Sequence, residues 1–173
     1  MVELKVLKPE AVSAALDQAK HYRLLNEPDE AESICLDILE TIPDHQEAMV
    51  VLLLSLTDKF AHGPINPSFV QAIEILERLD DSHCSSYYEG IIFERRAKHH
   101  LHQGGPGADA IAYEWFVKAL GSYNETMEGC NSEAQKAVLR YNSCARVINS
   151  NPDFKADDSD RSEMLLDSFD TPH

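Results

Sequence analysis

Ala-Ile-Ala-Tyr-Glu-Trp-Phe-Val-Lys-Ala-Leu-Gly, residues 110–121, is the stretch from which the rest of the chain can be read. Ala112, Phe116 and Ala119 stand at i, i+4 and i+7, so a small, a large and a small side chain share one helical face. A small residue lets a neighbouring backbone come close. The same spacing recurs as Ala72, Leu76 and Leu79, and again as Ala31, Cys35 and Ile38, 40 and then 41 residues upstream. A self-similar helical segment at that period predicts a stack of helical hairpins, an α-solenoid.

The chain reads outward from this as seven helices. Pro9 suits a first helical turn, and Val12, Ala15, Leu16, Ala19, Tyr22 and Leu25 follow at helical spacing. Residues 26–29 make a turn, and a second helix runs to Thr41 with Ala31, Ile34, Cys35, Ile38 and Leu39 inward. The third, 44–60, is apolar on more than one face and should be the best buried. A wide turn over 61–67 carries Gly63, Pro64 and Pro67, and a fourth helix covers 67–79. Asp81 or Ser82 is the expected cap of the fifth, which runs to His102 with Tyr87, Gly90, Ile91, Glu94 and Ala97 in line. Gly90 there permits a close helix contact. Residues 103–107 turn into the sixth helix, which reaches Tyr123, and 124–131 form another turn. Ser132 with Gln135 resembles a capping box for the seventh. On that helix Ala134, Ala137, Val138, Tyr141, Cys144, Ala145 and Ile148 face inward, and Lys136, Arg140 and Arg146 face outward.

Composition narrows the class. A chain of 173 residues suits one domain, here 1–152, followed by a tail, 153–173, with seven acids between Asp153 and Asp170 that predicts disorder. The formal charge is −15, from 30 acidic against 15 basic residues, a field that repels nucleic acid and anionic membrane. The first residues lack the apolar core of a secretory signal, and the longest apolar run, 48–56, is about half of the ~20 residues that cross a bilayer. Cys35, Cys84, Cys130 and Cys144 form no Cys-x-x-Cys pair and read as free thiols, which points to a cytoplasmic protein.

Three hairpins and a capping helix built on these repeats resemble the tetratricopeptide repeat family over residues 9–149. In that family the second helix of a hairpin carries small, aromatic and small residues, and a proline commonly ends the repeat. Ala112, Phe116 and Ala119 match in full; Ala31 with Pro43, and Ala72, match in part. Tyr87, Gly90 and Phe93 are similar to the family's aromatic and glycine positions in a first helix. The resemblance implies an all-α right-handed superhelix whose first helices line a concave groove for a peptide or helix of another protein. It would place Leu16, Lys20 and Arg23, then Glu47, Val50, Val51 and Leu54, then Tyr87, Tyr88, Ile91, Arg95 and Lys98 along that groove. The Lys and Asn clamp with which some members hold a terminal carboxylate is missing, because Leu16, Val50, Val51 and Leu54 are apolar. A groove apolar in the middle and cationic at its rims suits an acidic or amphipathic partner segment. The alternative is a self-associating subunit, a homodimer, with the groove as its assembly surface.

No catalytic constellation emerges, and no cofactor is called for. His99 and His102 lie one turn apart but lack the further ligands a metal needs, so a cationic helix end is the better reading. Cys35 and Cys144 sit on buried stripes without a histidine beside them. The 104–107 loop lacks the Lys-Ser/Thr of a phosphate loop. Trp115 and Tyr113 are expected to pack between repeats. Arg95, Lys98, Arg140 and Arg146 concentrate positive charge late in an acidic chain and form a candidate anion-accepting rim. The acidic and apolar residues 162–169 of the tail are a candidate occupant of the groove. The expected function is a non-catalytic protein-interaction module.

Overall fold

The computed structural model describes residues 2–61, 65–80, 84–151 and 154, and among them all regular structure is helical. A 3-10 turn over Pro9–Ala11 leads into α1 (Val12–Leu24), followed by α2 (Pro28–Thr41) and α3 (Gln46–Asp58). A second 3-10 turn, Lys59–Ala61, precedes α4 (Ile65–Leu76), α5 (Ser85–Gln103), α6 (Ala108–Gly129) and α7 (Ala134–Asn149).

Local chemistry sets the boundaries. Asn26 takes a positive φ of 61° between α1 and α2, a conformation Asn tolerates better than most L-residues, and Pro28 then opens α2 without sacrificing a needed N–H. His45 caps α3, its Nδ1 accepting from the backbone N–H of Ala48 at 3.3 Å. Gly107, φ 80°, turns the chain into α6.

Each helix packs on the next, and in addition α1 touches α3 and α3 touches α5, so α1, α3 and α5 form a row of their own. Two cores result. One gathers Leu16, Ala19, Ile38, Met49, Leu53, Leu56 and Phe60 from the first half of the chain; the other gathers Ile91, Ala112, Trp115, Phe116, Ala119 and Tyr123 from the second. Fully burying a large apolar side chain such as Leu53 or Phe116 stabilises by roughly 1.5–3 kcal/mol. Leu54, Phe69, Tyr88 and Phe93 pack on both cores and join them. As expected, Ala112, Phe116 and Ala119 are all fully buried, and so are Ala31, Cys35 and Ile38.

Several expectations change. Helix α6 continues to Gly129 rather than stopping at Tyr123, because Thr126 is buried and its hydroxyl is satisfied by the Ser122 carbonyl at 2.9 Å. That extension returns Cys130 to the start of the antiparallel α5, where it is joined to Cys84 as a disulfide. The reading of four free thiols is therefore corrected: Cys35 and Cys144 are free and buried, and the case for a reducing compartment loses two of its cysteines. Ser132 makes no capping bond; Glu133 occupies the cap position of α7, and the Ser132 hydroxyl lies 3.4 Å from the sulfur of both Cys84 and Cys130. Helix α4 starts and ends earlier than expected. The expected cap at Asp81 or Ser82 lies outside the described residues, as does the tail apart from Phe154. Phe154 is buried against the rings of Tyr113 and Phe116, at 5.8 and 5.9 Å between centroids, so the packed body extends past residue 152.

Candidate interaction face

The odd-numbered helices carry a line of charged side chains. Arg23 of α1 donates from Nε to Asp58 Oδ2 of α3 at 2.8 Å, and Asp58 Oδ1 takes the guanidinium of Arg95 from α5. Arg95 also donates to Thr57 Oγ1 at 2.7 Å. Both arginines and Asp58 are only about a fifth to a quarter exposed, which makes each pair stronger than a fully solvated one.

The residue before Arg95 on α5 is Glu94, 3 % exposed. Its carboxylate accepts from Lys98 Nζ at 2.5 Å, from the Tyr123 hydroxyl at 2.6 Å and from Arg140 Nη1 of α7 at 3.0 Å. Burial alone would raise the Glu94 pKa; the hydrogen bonds from Lys98 and Tyr123 and the charge of Arg140 outweigh it and hold the acid below its usual value. Arg140 also donates to the Tyr87 hydroxyl at 3.3 Å, and Glu94 holds its pKa up against the effect of burial. Arg95 moves the other way: burial lowers its pKa, Asp58 opposes, and the charges of Arg140 and Arg23 add to the lowering. Arg95 thus feels an arginine from each of two other helices, α1 and α7.

Beside the line, between the end of α3 and the end of α5, lies a cleft of about 350 Å3. Thr57, Asp58, Phe60 and Ala61 form one wall, and Arg95, Lys98, His99, His102 and Gln103 the other. His99 donates from Nδ1 to the Phe60 carbonyl at 2.6 Å, and His102 donates from Nδ1 to the Lys98 carbonyl at 2.7 Å. Both rings are oriented by the backbone. The pKa of His99 is lowered, first by burial and further by the neighbouring His100, Arg96 and His102, while its bond to Phe60 opposes. Among the described residues no group of three His, Cys, Asp or Glu side chains is placed to hold a metal ion.

The residues expected along a groove divide into three sets. Arg23, Arg95, Lys98 and Arg140 are drawn together on the charged line, and Lys20 stands near Glu47 at 3.6 Å. Val50, Leu54 and Tyr88 are half-buried and remain reachable. Four are not: Tyr87 and Ile91, 7 % and 2 % exposed, because α6 and α7 cover that side of α5, and Leu16 and Val51, 5 % exposed each, because they point into the first core. The cationic rim is corrected in the same sense: Arg95, Lys98 and Arg140 already hold acidic partners, and Arg140 is turned inward rather than outward. Trp115 is 7 % exposed and packs on Phe69 and Phe93 with ring centroids 5.6 and 5.3 Å away. The Arg96 guanidinium, buried, lies 3.9 Å from the Phe69 ring and 4.6 Å from that of Trp115.

No protein-family model matches the chain, and no curated protein or solved structure matches it. The residues that sequence reasoning passed over are Thr57, Asp58, Phe60 and Gln103. The polar run Thr57-Asp58-Lys59 closing the most apolar helix was the signal available. Burial pushes the Cys35 and Cys144 thiols up to about 12, which leaves them protonated and unreactive near neutral pH.

Proposed function

We propose that the chain is a tetratricopeptide-like helical repeat, three hairpins closed by α7, that acts as a non-catalytic interaction module. A peptide or helix of a partner protein docks on the row formed by α1, α3 and α5. The observation that carries this reading is the set of charged side chains Arg23, Asp58, Arg95, Glu94 and Arg140, which links α1 to α3 and α5, and α5 to α7, through ion pairs. These pairs tie neighbouring helices to one another, and charge gathered in this way can also serve recognition, because it sets register and excludes wrong partners. Self-association is the competing reading, favoured by Leu24 and Leu25, 85 % and 56 % exposed at the end of α1.

Selection of displayed peptides on the immobilised full chain, followed by amide-shift mapping of an enriched peptide, tests the proposal. Shifts clustered on α1, α3 and α5 support it. Shifts confined to α2, α4 and α6, or a concentration-dependent dimer that blocks all selection, overturn it.

A further inference from the structure

We infer that the cleft between the ends of α3 and α5 is the acid-reading pocket of this face, and that it takes a Glu or Asp side chain of an amphipathic peptide with an apolar neighbour against Phe60 and Ala61. The inference rests on the interaction-module reading above.

The lining decides the ligand's chemistry. Four basic side chains, Arg95, Lys98, His99 and His102, line the cleft with one carboxylate, Asp58, which pairs with Arg23 and Arg95. Lys98 pairs with Glu94 beside it, as does Arg140, so around the cleft the four cations Arg23, Arg95, Lys98 and Arg140 exceed the two acids Asp58 and Glu94. Arg95 and Lys98 keep further N–H donors beyond the bonds described, since a guanidinium has five and an ammonium three. His99 and His102 donate from Nδ1 to backbone carbonyls, so Nε2 of each neutral ring is an acceptor. It donates to a guest only once the ring is protonated, which burial opposes at His99. The donors the cleft offers a carboxylate guest therefore come from Arg95 and Lys98.

Size and field argue for a peptide side chain over a larger group. A volume of about 350 Å3 is near the lower end of ligand pockets. Phe60 and Ala61 add an apolar patch that a bare anion does not use. The chain as a whole carries −15, so an acidic peptide is repelled at long range and is held only where local cations dominate. At physiological salt, screening over ~8 Å lets a cluster of this size do so.

The test uses the full chain and a short fluorescein-labelled peptide alternating Glu and Leu, read by anisotropy, with a Gln-for-Glu peptide as control. Binding of the Glu peptide and not of the Gln peptide is expected. His102→Glu and Gln103→Glu, both exposed at the cleft mouth, should each weaken it about tenfold or more, while Lys136→Glu on α7 leaves it within about twofold. Unlabelled peptide of residues 155–173 displacing the probe would support the same chemistry and name the chain's own segment as an occupant. Equal affinity in wild type and His102→Glu, no affinity for the Glu peptide, or equally effective displacement by inorganic phosphate would each overturn the pocket. So would a second copy seated there, seen as a dimer in sedimentation that the cleft substitutions dissolve. Selected peptides that map to α1, α3 and α5 but ignore both cleft substitutions would sink this inference and leave the module reading standing.

Discussion

Tyr123 donates its hydroxyl hydrogen to the buried Glu94 carboxylate, Oη to Oε2 2.6 Å, across the contact between α5 and α6. The bond has a charged acceptor that is 3 % exposed, so its loss is not made good by water. Tyr123→Phe should destabilise the chain by about 1.5–3 kcal/mol, the range for hydrogen bonds to charged groups. Chemical unfolding in urea gives the value.

Glu94 also predicts a pH dependence. Its folded pKa lies below the usual 4.5, so its contribution is complete above that value and is lost as the pH falls through the folded pKa. Glu94→Gln should be less stable than wild type at neutral pH, and the difference should shrink steadily below pH 4.5. Melting curves from pH 7 to 3 measure it; a gap that stays constant into acid would contradict the lowered pKa.

Gly90 lies directly beneath the Tyr123 ring. A Cβ at position 90 would meet Cδ1 and Cζ of that ring at 2.7 and 2.9 Å, closer than carbon atoms pack. Gly90→Ala gains helix propensity but must push α5 from α6, with a net loss of about 1–3 kcal/mol. Tyr123→Leu in the same chain should recover part of the loss, which a double-mutant cycle in urea measures.

Much of the fold was legible because helical periodicity survives in short windows. The buried faces of α2 and α6, the tight approach at Gly90 and the apolar α3 all follow from spacing and residue size. What was not legible depended on partners distant in the chain. Asp58 reads as a polar helix end until Arg23 and Arg95 arrive from other helices. Arg140 lies on the polar side of its own helix, and only Glu94 opposite explains why it turns inward. Cys84 and Cys130 meet because α6 outruns its expected end at Tyr123, and nothing in the local pattern marks that continuation.

Arg95 and Arg140 hold the charged line together, which changes what their substitution should do. Read as a free rim, both exchanged for Glu would spare stability. Their partners Asp58 and Glu94 are instead mostly buried, and reversing either arginine sets two carboxylates together in a low-dielectric site. Breaking a buried pair costs about 3–5 kcal/mol, and these half-buried arginines should fall at or below the lower end. Arg95→Glu and Arg140→Glu should each lower the melting temperature measurably by circular dichroism. An unchanged melt would mean that neither pair holds the helices.

Phe154 closes the second core from beyond α7. Its ring sits between Tyr113 and Phe116 at 6 % exposure. Phe154→Ala should cost about 3 kcal/mol, the lower figure for a buried Phe reduced to Ala. A stability within 0.5 kcal/mol of wild type, about the scatter of a surface change, would show that the segment does not pack.

The disulfide between Cys84 and Cys130 spans 46 residues and ties the first turn of α5 to the end of α6. Closing a loop of that length removes freedom from the unfolded chain worth at most about 4 kcal/mol. Two measurements follow. Under denaturing conditions without reductant, thiol titration should find two reactive cysteines, Cys35 and Cys144, rising to four once reductant is added. In urea, the oxidised chain should then unfold at a higher midpoint than the reduced chain or the Cys84→Ser, Cys130→Ser double variant, and those two should agree with each other. Four thiols from the outset would remove the crosslink. A crosslink without any gain in midpoint would mean that packing of Tyr123 and Thr126 already fixes this end of α6, so that the bond adds no constraint the core does not supply.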